Sequence, residues 1–296
     1  MTGKGRYYLL MILATFLFAG AFVAGKLGTA TFSPVVMTFL RIGLAVLILF
    51  PIMAYKEASI KIKKEDLKLV FILGLVGMTF YHLFFFSALK YTTASNASVI
   101  NGSMPIITAI IASFVLKEKL TIRQSLYIIT AFIGVLTIIT NWQFSVLFNM
   151  DMNRGDLLML CGTISWATYG VIIKKSNTSM SALKMTTYTL LMCVIILLPF
   201  AIREMIVYDS LNVPFRDYYS IIYMAVFPTV MGYTIQQASI KALGPSTASL
   251  FINLVPFFSI ILSMLILKEA INPLNIISGV VIIVSVILFA RSKASV

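Results

Sequence analysis

The chain has 296 residues, of which 60% are hydrophobic and only 11% are charged. A soluble globular domain is nearer about 45–50% apolar and about 25% charged. These proportions exclude a disordered chain, a coiled coil and an ordinary cytosolic enzyme, and they leave a membrane protein. The net charge of +13 could suggest a nucleic-acid partner. Its placement argues against one: the basic residues sit in short clusters between long apolar runs, as loops flanking membrane spans do.

A membrane helix needs about 20 mostly apolar residues. Ten such runs follow one another, over residues 7–25, 33–55, 68–90, 93–116, 121–140, 155–173, 182–203, 216–240, 244–267 and 272–290. The connections are too short for a soluble domain. The first run follows Lys4 and Arg6 and could pass for a secretory signal. Nine further spans argue that it is a retained helix.

In chain order, the first run carries Phe18 and Phe22. The second carries Arg41, the one clear intramembrane charge, seven residues inside its span. At 1.5 Å rise per residue that is about 10 Å deep. A side chain there either snorkels to the surface or serves as a gate or as an anion contact. The third run holds Tyr81, Phe85 and His82, the only histidine. That imidazole reads as a structural hydrogen-bonding group, a substrate contact or a proton relay. Asn101 and Pro105 lie in the fourth run, Trp166 and Tyr169 in the sixth, Tyr233 and Gln236 in the eighth, and Asn253 and Pro256 in the ninth. Amides in hydrocarbon need partners, so Asn101, Gln236 and Asn253 should face protein or water. Ligand pockets combine apolar walls with a few placed polar groups. The candidate substrate-binding set is therefore Phe18, Phe22, Tyr81, His82, Phe85, Asn101, Trp166, Tyr169, Tyr233, Gln236 and Asn253. Ordinary packing and interhelical hydrogen bonding are the competing readings. Pro105 and Pro256 each remove a backbone hydrogen bond, as static kinks or as gating hinges alongside Arg41. Lys117-Glu118 and Lys268-Glu269 read as fixing helix ends and tight turns.

Lysine and arginine placement gives orientation. With the N-terminus in the cytoplasm, sixteen of the 23 basic residues fall on the inner side and six on the outer. Both termini are then cytoplasmic. Lys56 to Lys68 form a basic inner loop suited to anionic lipid. Cys161 and Cys193 lie in separate apolar runs and read as small hydrophobes. No zinc spacing, no H-E-x-x-H motif and no G-x-x-x-x-G-K-S/T loop occurs. The expectation is no metal, no cofactor and no enzyme activity. No Asp or Glu lies deep in a span, which argues against proton coupling through an intramembrane carboxylate.

The chain reads as two copies of a five-helix unit, over residues 1–145 and 146–296. Early in each copy the offset is 148 residues: Arg6 matches Arg154, Ala19 matches Ala167, Lys26 matches Lys174 and Pro51 matches Pro199. Later it is 151: Lys90 matches Lys241, Ala97-Ser98 match Ala248-Ser249, Pro105 matches Pro256, and Leu116-Lys117-Glu118 match Leu267-Lys268-Glu269. An odd number of spans per copy inverts the second copy. Inverted repeats underlie many secondary transporters, with a site near the midplane.

The stretches Ala97–Glu118 and Ala248–Glu269, each A-S followed by proline and closed by L-K-E, carry a family resemblance. So do Leu40-Arg41 with Ala45, and Gly134 and Gly279. Over almost its whole length the chain resembles the EamA-type transporters of the drug/metabolite transporter superfamily. The resemblance implies an all-α integral membrane protein of ten helices in a multi-pass cytoplasmic membrane of a prokaryotic cell. It also implies an alternating-access carrier of small metabolites, often an exporter of amino acids or related compounds. The sequence departs from its own repeat at Lys119, where the second copy has Ala270. The alternatives are uptake of another metabolite class, such as nucleosides or cofactor precursors, and an intramembrane enzyme or scaffold. The expected partners are a small-molecule substrate and the bilayer, with no nucleic acid; a monomer is compatible with the sequence.

Overall fold

The protein is described here from a computed structural model, covering residues 3–117, 120–143, 153–176, 178–207, 212–243 and 251–294. Among these residues the regular structure is helical. Six helices are long and apolar enough to cross a membrane: Gly5–Gly28, Pro34–Lys56, Lys64–Tyr91, Ala94–Val115, Arg154–Lys175 and Ala182–Val207. Ile122–Ile138, Val255–Leu267 and Pro273–Phe289 are shorter apolar helices. The run expected over 216–240 is continuously helical from Tyr219 to Leu243. The repeat stretch at Ala248-Ser249 and the Glu118-Lys119 pair lie outside the described residues.

We number the α-helices in chain order. Helices α1 (Gly3–Gly28) and α2 (Pro34–Lys56) are followed by α3 (Lys64–Leu73), a π-helical segment (Gly74–Phe80) and α4 (Tyr81–Tyr91) as one rod. The next rod is broken into α5 (Ala94–Gly102) and α6 (Met104–Val115), and α7 (Ile122–Ile139) follows. Then come α8 (Arg154–Lys175) and α9 (Ala182–Val207). A 3-10 turn (Phe215–Tyr218) leads into α10 (Tyr219–Met224), a second π segment (Ala225–Gly232) and α11 (Tyr233–Leu243). Last are α12 (Val255–Leu262), a third π segment (Ser263–Leu267) and α13 (Pro273–Ala294).

Local chemistry sets the helix starts. Ser33 caps α2, accepting from the Val36 N–H, and Pro34 opens the first turn. Asn153 caps α8 by accepting from Gly155 and Asp156. Thr121 and Gln124 cap α7 reciprocally, at 2.9 and 3.3 Å. Each contact satisfies a backbone donor that the helix itself leaves unpaired.

The prolines act differently from a mid-helix kink. Pro105 and Pro256 each occupy the first turn of a new helix, after a break at Ser103 and at Leu254. There the missing N–H costs nothing, because a first-turn donor has no intrahelical acceptor. Lys117 and Lys268, at matched positions, both adopt left-handed backbone with φ of 55°.

Helix α2 packs along α9, α4 along α8, and α7 along α13; α1 packs against α10, α11 and α12. Polar side chains fix the direction of the α2–α9 pair. At one end the Ser33 hydroxyl donates to the Glu204 carboxylate. At the other, the Ser181 hydroxyl donates to Glu57 at 2.5 Å. Because Ser33 starts α2 and Glu204 lies near the end of α9, the two helices run antiparallel. A second pair of bonds follows the same logic: Thr31 to Asp217 at 3.2 Å, and Thr178 to Asp66 at 2.9 Å. The two aspartates are 151 residues apart, and so are the starts of the first two π segments.

Close helix contact has an exposed dependence on glycine at Gly155. A Cβ there would lie 2.6 Å from the Thr92 nitrogen and 2.8 Å from the Ala88 carbonyl oxygen, both backbone atoms. Around Gly43 nothing lies within 4 Å. Gly155→Ala is therefore expected to cost about 1–3 kcal/mol, as overpacking does, and to lower the melting temperature in detergent. Gly43→Ala is expected to leave it unchanged. Equal melting temperatures for both variants would contradict the packing described here.

Candidate functional site

An internal cavity of about 640 Å³ lies between the two halves of the chain. Its walls come from α1 (Phe18, Ala21, Phe22), α2 (Arg41), α4 (Tyr81, Phe85), α5 and α6 (Asn101, Met104, Pro105, Thr108, Ala109, Ala112) and α8 (Trp166, Gly170, Val171, Lys174). The later part of the second half adds Pro228, Tyr233, Gln236, Ile252, Val255 and Phe289. That volume sits within the range of small-molecule sites, roughly 300–1,000 Å³.

Of the residues expected to bind substrate, the cavity gathers Phe18, Phe22, Tyr81, Phe85, Asn101, Trp166, Tyr233 and Gln236; of the expected gate residues it gathers Arg41 and Pro105. His82, Tyr169, Asn253 and Pro256 lie outside its lining. His82 is buried and its Nδ1 bonds the Met78 carbonyl at 2.7 Å, one turn back in its own rod. Tyr169 is buried in the neighbouring core, where its ring centroid lies 5.2 Å from that of Trp166. Asn253 and Pro256 are buried.

Aromatic rings form the floor. Trp166 lies 4.8 Å from Tyr81 and 6.3 Å from Tyr233 between centroids, the latter stacked. Phe18 meets Tyr233 at 5.8 Å, and Phe22 meets Phe85 edge-on at 5.0 Å. Such pairs favour offset and edge-to-face geometry and hold each other's orientation. The polar groups are few: the Arg41 guanidinium, the Lys174 ammonium, the amides of Asn101 and Gln236, and the hydroxyls of Thr108, Tyr81 and Tyr233.

Arg41 does not snorkel. It is 5% exposed, and its guanidinium lies 5.8 Å from the centroid of the Phe86 ring. Its Nε and Nη2 both donate to the Thr229 hydroxyl, at 3.4 and 3.2 Å. The Thr229 hydroxyl itself donates to the Met224 carbonyl at 2.8 Å. Its proton is thereby committed and its lone pairs face the guanidinium. Sequence reasoning missed this support; a threonine in an apolar run was the available signal.

The cavity is closed at one end and reaches the surface at the other. At the closed end, Lys26 donates to the carbonyls of Leu89 and Thr92, both at 2.7 Å. Glu269 accepts from the Ala94 and Ser95 N–H groups at 2.9 and 3.3 Å and from the Ser95 hydroxyl at 2.9 Å. The Thr92 hydroxyl donates to Asp156, which is buried. Asn275 donates to Asn96 at 3.0 Å. Glu269 thus does more than finish its own helix: it caps α5 across the interface between the halves, where a carboxylate suits a helix N-terminus. At the other end the cavity runs between Ala112, Gly170 and Phe289 to Lys174, whose side chain is exposed. The 57–64 connection is bonded to α9 through Lys184 and Tyr188, on the side of the bundle where α8 ends and α9 begins. Among the described residues no group of three metal-ligating side chains occurs.

A bundle of apolar helices around an aromatic cavity invites comparison with known proteins. The model of the EamA-like transporter family matches residues 5–140 and again residues 153–291. The chain belongs to the EamA-like transporter family. A Bacillus subtilis (strain 168) protein named as uncharacterized transporter YyaM is 33% identical over 283 residues, spanning 94% of this chain and 92% of that one. An uncharacterized transporter of Archaeoglobus fulgidus is 26% identical over 285 residues, spanning 96% and 97%. A solved crystal structure shares the fold, with a TM-score of 0.62 at 15% identity over 97% of both chains. Family membership makes this a membrane transporter for a small-molecule substrate.

Trp166 lies in the cavity, whereas Trp142, the second of two tryptophans, donates to the Leu274 carbonyl and to Ser278 at 3.1 Å each, away from it. In Trp142→Phe, a ligand entering the cavity is expected to change the emission of Trp166. In Trp166→Phe, the same ligand should leave Trp142 emission flat. A response from Trp142 alone would put the ligand elsewhere.

Proposed function

We propose that the protein is a secondary carrier that moves a small metabolite across the cytoplasmic membrane of a prokaryotic cell by alternating access. The cargo is an amino acid or related compound and the net direction is export. The observation that carries this reading is the aromatic cavity between the two halves, latched at one end and open at the other. We take the halves, 1–145 and 146–296, as inverted five-span repeats, with ten crossings and both termini in the cytoplasm.

Support for the inversion comes from the antiparallel α2–α9 pair and its reciprocal serine–glutamate bonds. Further support comes from π segments at equivalent places in the two halves. Lysine and arginine placement puts the basic 56–68 loop in the cytoplasm. Lys174 shares that end with the loop, so the cavity faces inward here. The latch at Lys26, Thr92, Asp156 and Glu269 then closes the outer face. Phe18, Phe22, Tyr81, Phe85, Asn101, Trp166, Tyr233 and Gln236 are the substrate contacts in this reading. The breaks before Pro105 and Pro256 are its hinges, because a helix broken at Ser103 or Leu254 bends there at low cost.

Uptake uses the same geometry, since gradients rather than the fold set net direction. Counterflow in proteoliposomes tests the carrier: labelled amino acid should accumulate against preloaded unlabelled solute, and the signal should fall at least about tenfold in Trp166→Ala, the loss of one well-made contact. No flux across an amino-acid and nucleoside panel would count against the carrier reading. Access is tested separately. Cys161 and Cys193 are the native thiols, one exposed and one buried. In a background with both changed to serine, Gly170→Cys, which meets nothing within 4 Å, should react with an impermeant thiol reagent from the cytoplasmic face and be protected by cargo. Reaction from the outer face alone would reverse the orientation.

A further inference from the structure

We infer that Arg41 is the anion-binding residue of the cavity, and that the transported molecule is an organic anion whose carboxylate or other compact oxoanion pairs with the open edge of its guanidinium. This rests on the carrier reading above and narrows its substrate class.

A guanidinium presents five N–H donors in a rigid fork. Here two of them, on Nε and Nη2, converge on a single Thr229 oxygen at 3.4 and 3.2 Å. Nη1 has no hydrogen bond among the described residues, although Arg41 is 5% exposed and lines the cavity. No Asp or Glu lines the cavity among the described residues. A buried charge without a counter-ion is costly, and proteins pair such charges or give them a ligand. The Phe86 ring and the Thr229 hydroxyl stabilise the cation without neutralising it. The edge turned away from Thr229 is the edge that binds a carboxylate through two parallel bonds.

The scaffold does not itself require this charge. The repeat-related position, 148 residues on, is Thr189. A helix-pinning role common to both halves would place a cation in each. Thr229 instead holds the guanidinium at one orientation, through a hydroxyl whose own proton is tied to Met224. Asn101 lines the same cavity, and its Oδ1 is buried without a hydrogen-bond partner. That acceptor suits an N–H or O–H on the cargo. The rings of Trp166, Tyr81 and Tyr233 line the same cavity and offer it apolar wall.

The test uses matched pairs on the intact detergent-purified protein. Phenylacetate is compared with phenylacetamide, indole-3-acetate with indole-3-acetamide, and phenylphosphonate is the oxoanion arm. Binding is read from thermal stabilisation, which follows affinity by mass action. The acids should bind at least about tenfold more tightly than their amides, the worth of one charge-assisted contact. Stabilisation by phenylphosphonate alone assigns a phosphoryl cargo; stabilisation by the carboxylates alone assigns a carboxylic acid; both results support the anion site. Arg41→Gln should abolish the preference for acid over amide. Arg41→Lys, which keeps the charge, should retain the preference with weaker binding, and it replaces the glutamine variant if that one does not fold. Equal binding of acids and amides, binding of neither, or an acid preference that survives Arg41→Gln overturns the inference. Counterflow of the same pairs separates the two readings. Flux of amides as fast as acids leaves the carrier standing without an anion site, whereas no flux of any solute removes the carrier.

Discussion

A backbone carbonyl in hydrocarbon has no water to turn to, and each irregularity in this fold is built around that demand. Within the second π segment the Thr229 hydroxyl donates to the Met224 carbonyl. Thr79 donates to the Gly74 carbonyl within the first π segment in the same i to i−5 sense. The end of α4 leaves the Leu89 and Thr92 carbonyls open, and Lys26 reaches them from α1. The start of α5 leaves donors open, and Glu269 accepts them from the far half. The Glu269 repair thus also becomes a contact between the halves. Long charged side chains at helix ends serve here as caps for neighbours rather than as surface ion pairs, which are worth little.

This has a consequence for motion. A contact that repairs a backbone break within one rod cannot be given up cheaply. A contact between rods can be exchanged for an equivalent one at the other face. The π segments at 74–80 and 225–232 belong to the first kind and sit beside the cavity. The Lys26 and Glu269 contacts belong to the second kind and sit at one end of it. On the proposed reading, alternating access would exchange the contacts between rods while keeping those within them.

Much of the rod layout was legible from apolar runs, because hydrocarbon demands a fixed length of apolar helix. The repeat was argued from lysine, proline and glutamate positions, since those residues rarely match by chance among Leu, Ile and Ala. Eight aromatic and amide residues singled out in the sequence converge on one cavity because apolar spans offer few places for them. His82 was not legible: a local bond to Met78 turns it away from the lining, and sequence spacing carries no rotamer. A π turn also adds a residue and rotates the following face by roughly 100°. The depth of Arg41 was legible, but not its direction, because snorkelling and inward pairing need the same position. The break before Pro105 looked like a kink within a helix. Only the backbone of Ser103 reveals a helix ending and another beginning. The Thr31–Asp217 and Thr178–Asp66 bonds join common residue types across long separations, and pairing of that kind leaves no local signal.

The central claim is that the two ends of the cavity open in alternation. Paired spin labels on one reconstituted protein test it most directly. Leu27 and Ala270 are exposed near the closed end, and Lys175 and Arg291 are exposed near the open end. As cargo is added, the account predicts that the Leu27–Ala270 distance distribution gains a longer component while the Lys175–Arg291 distribution gains a shorter one, in matching proportions. Two distributions that stay fixed under saturating cargo, or that lengthen together, would contradict it.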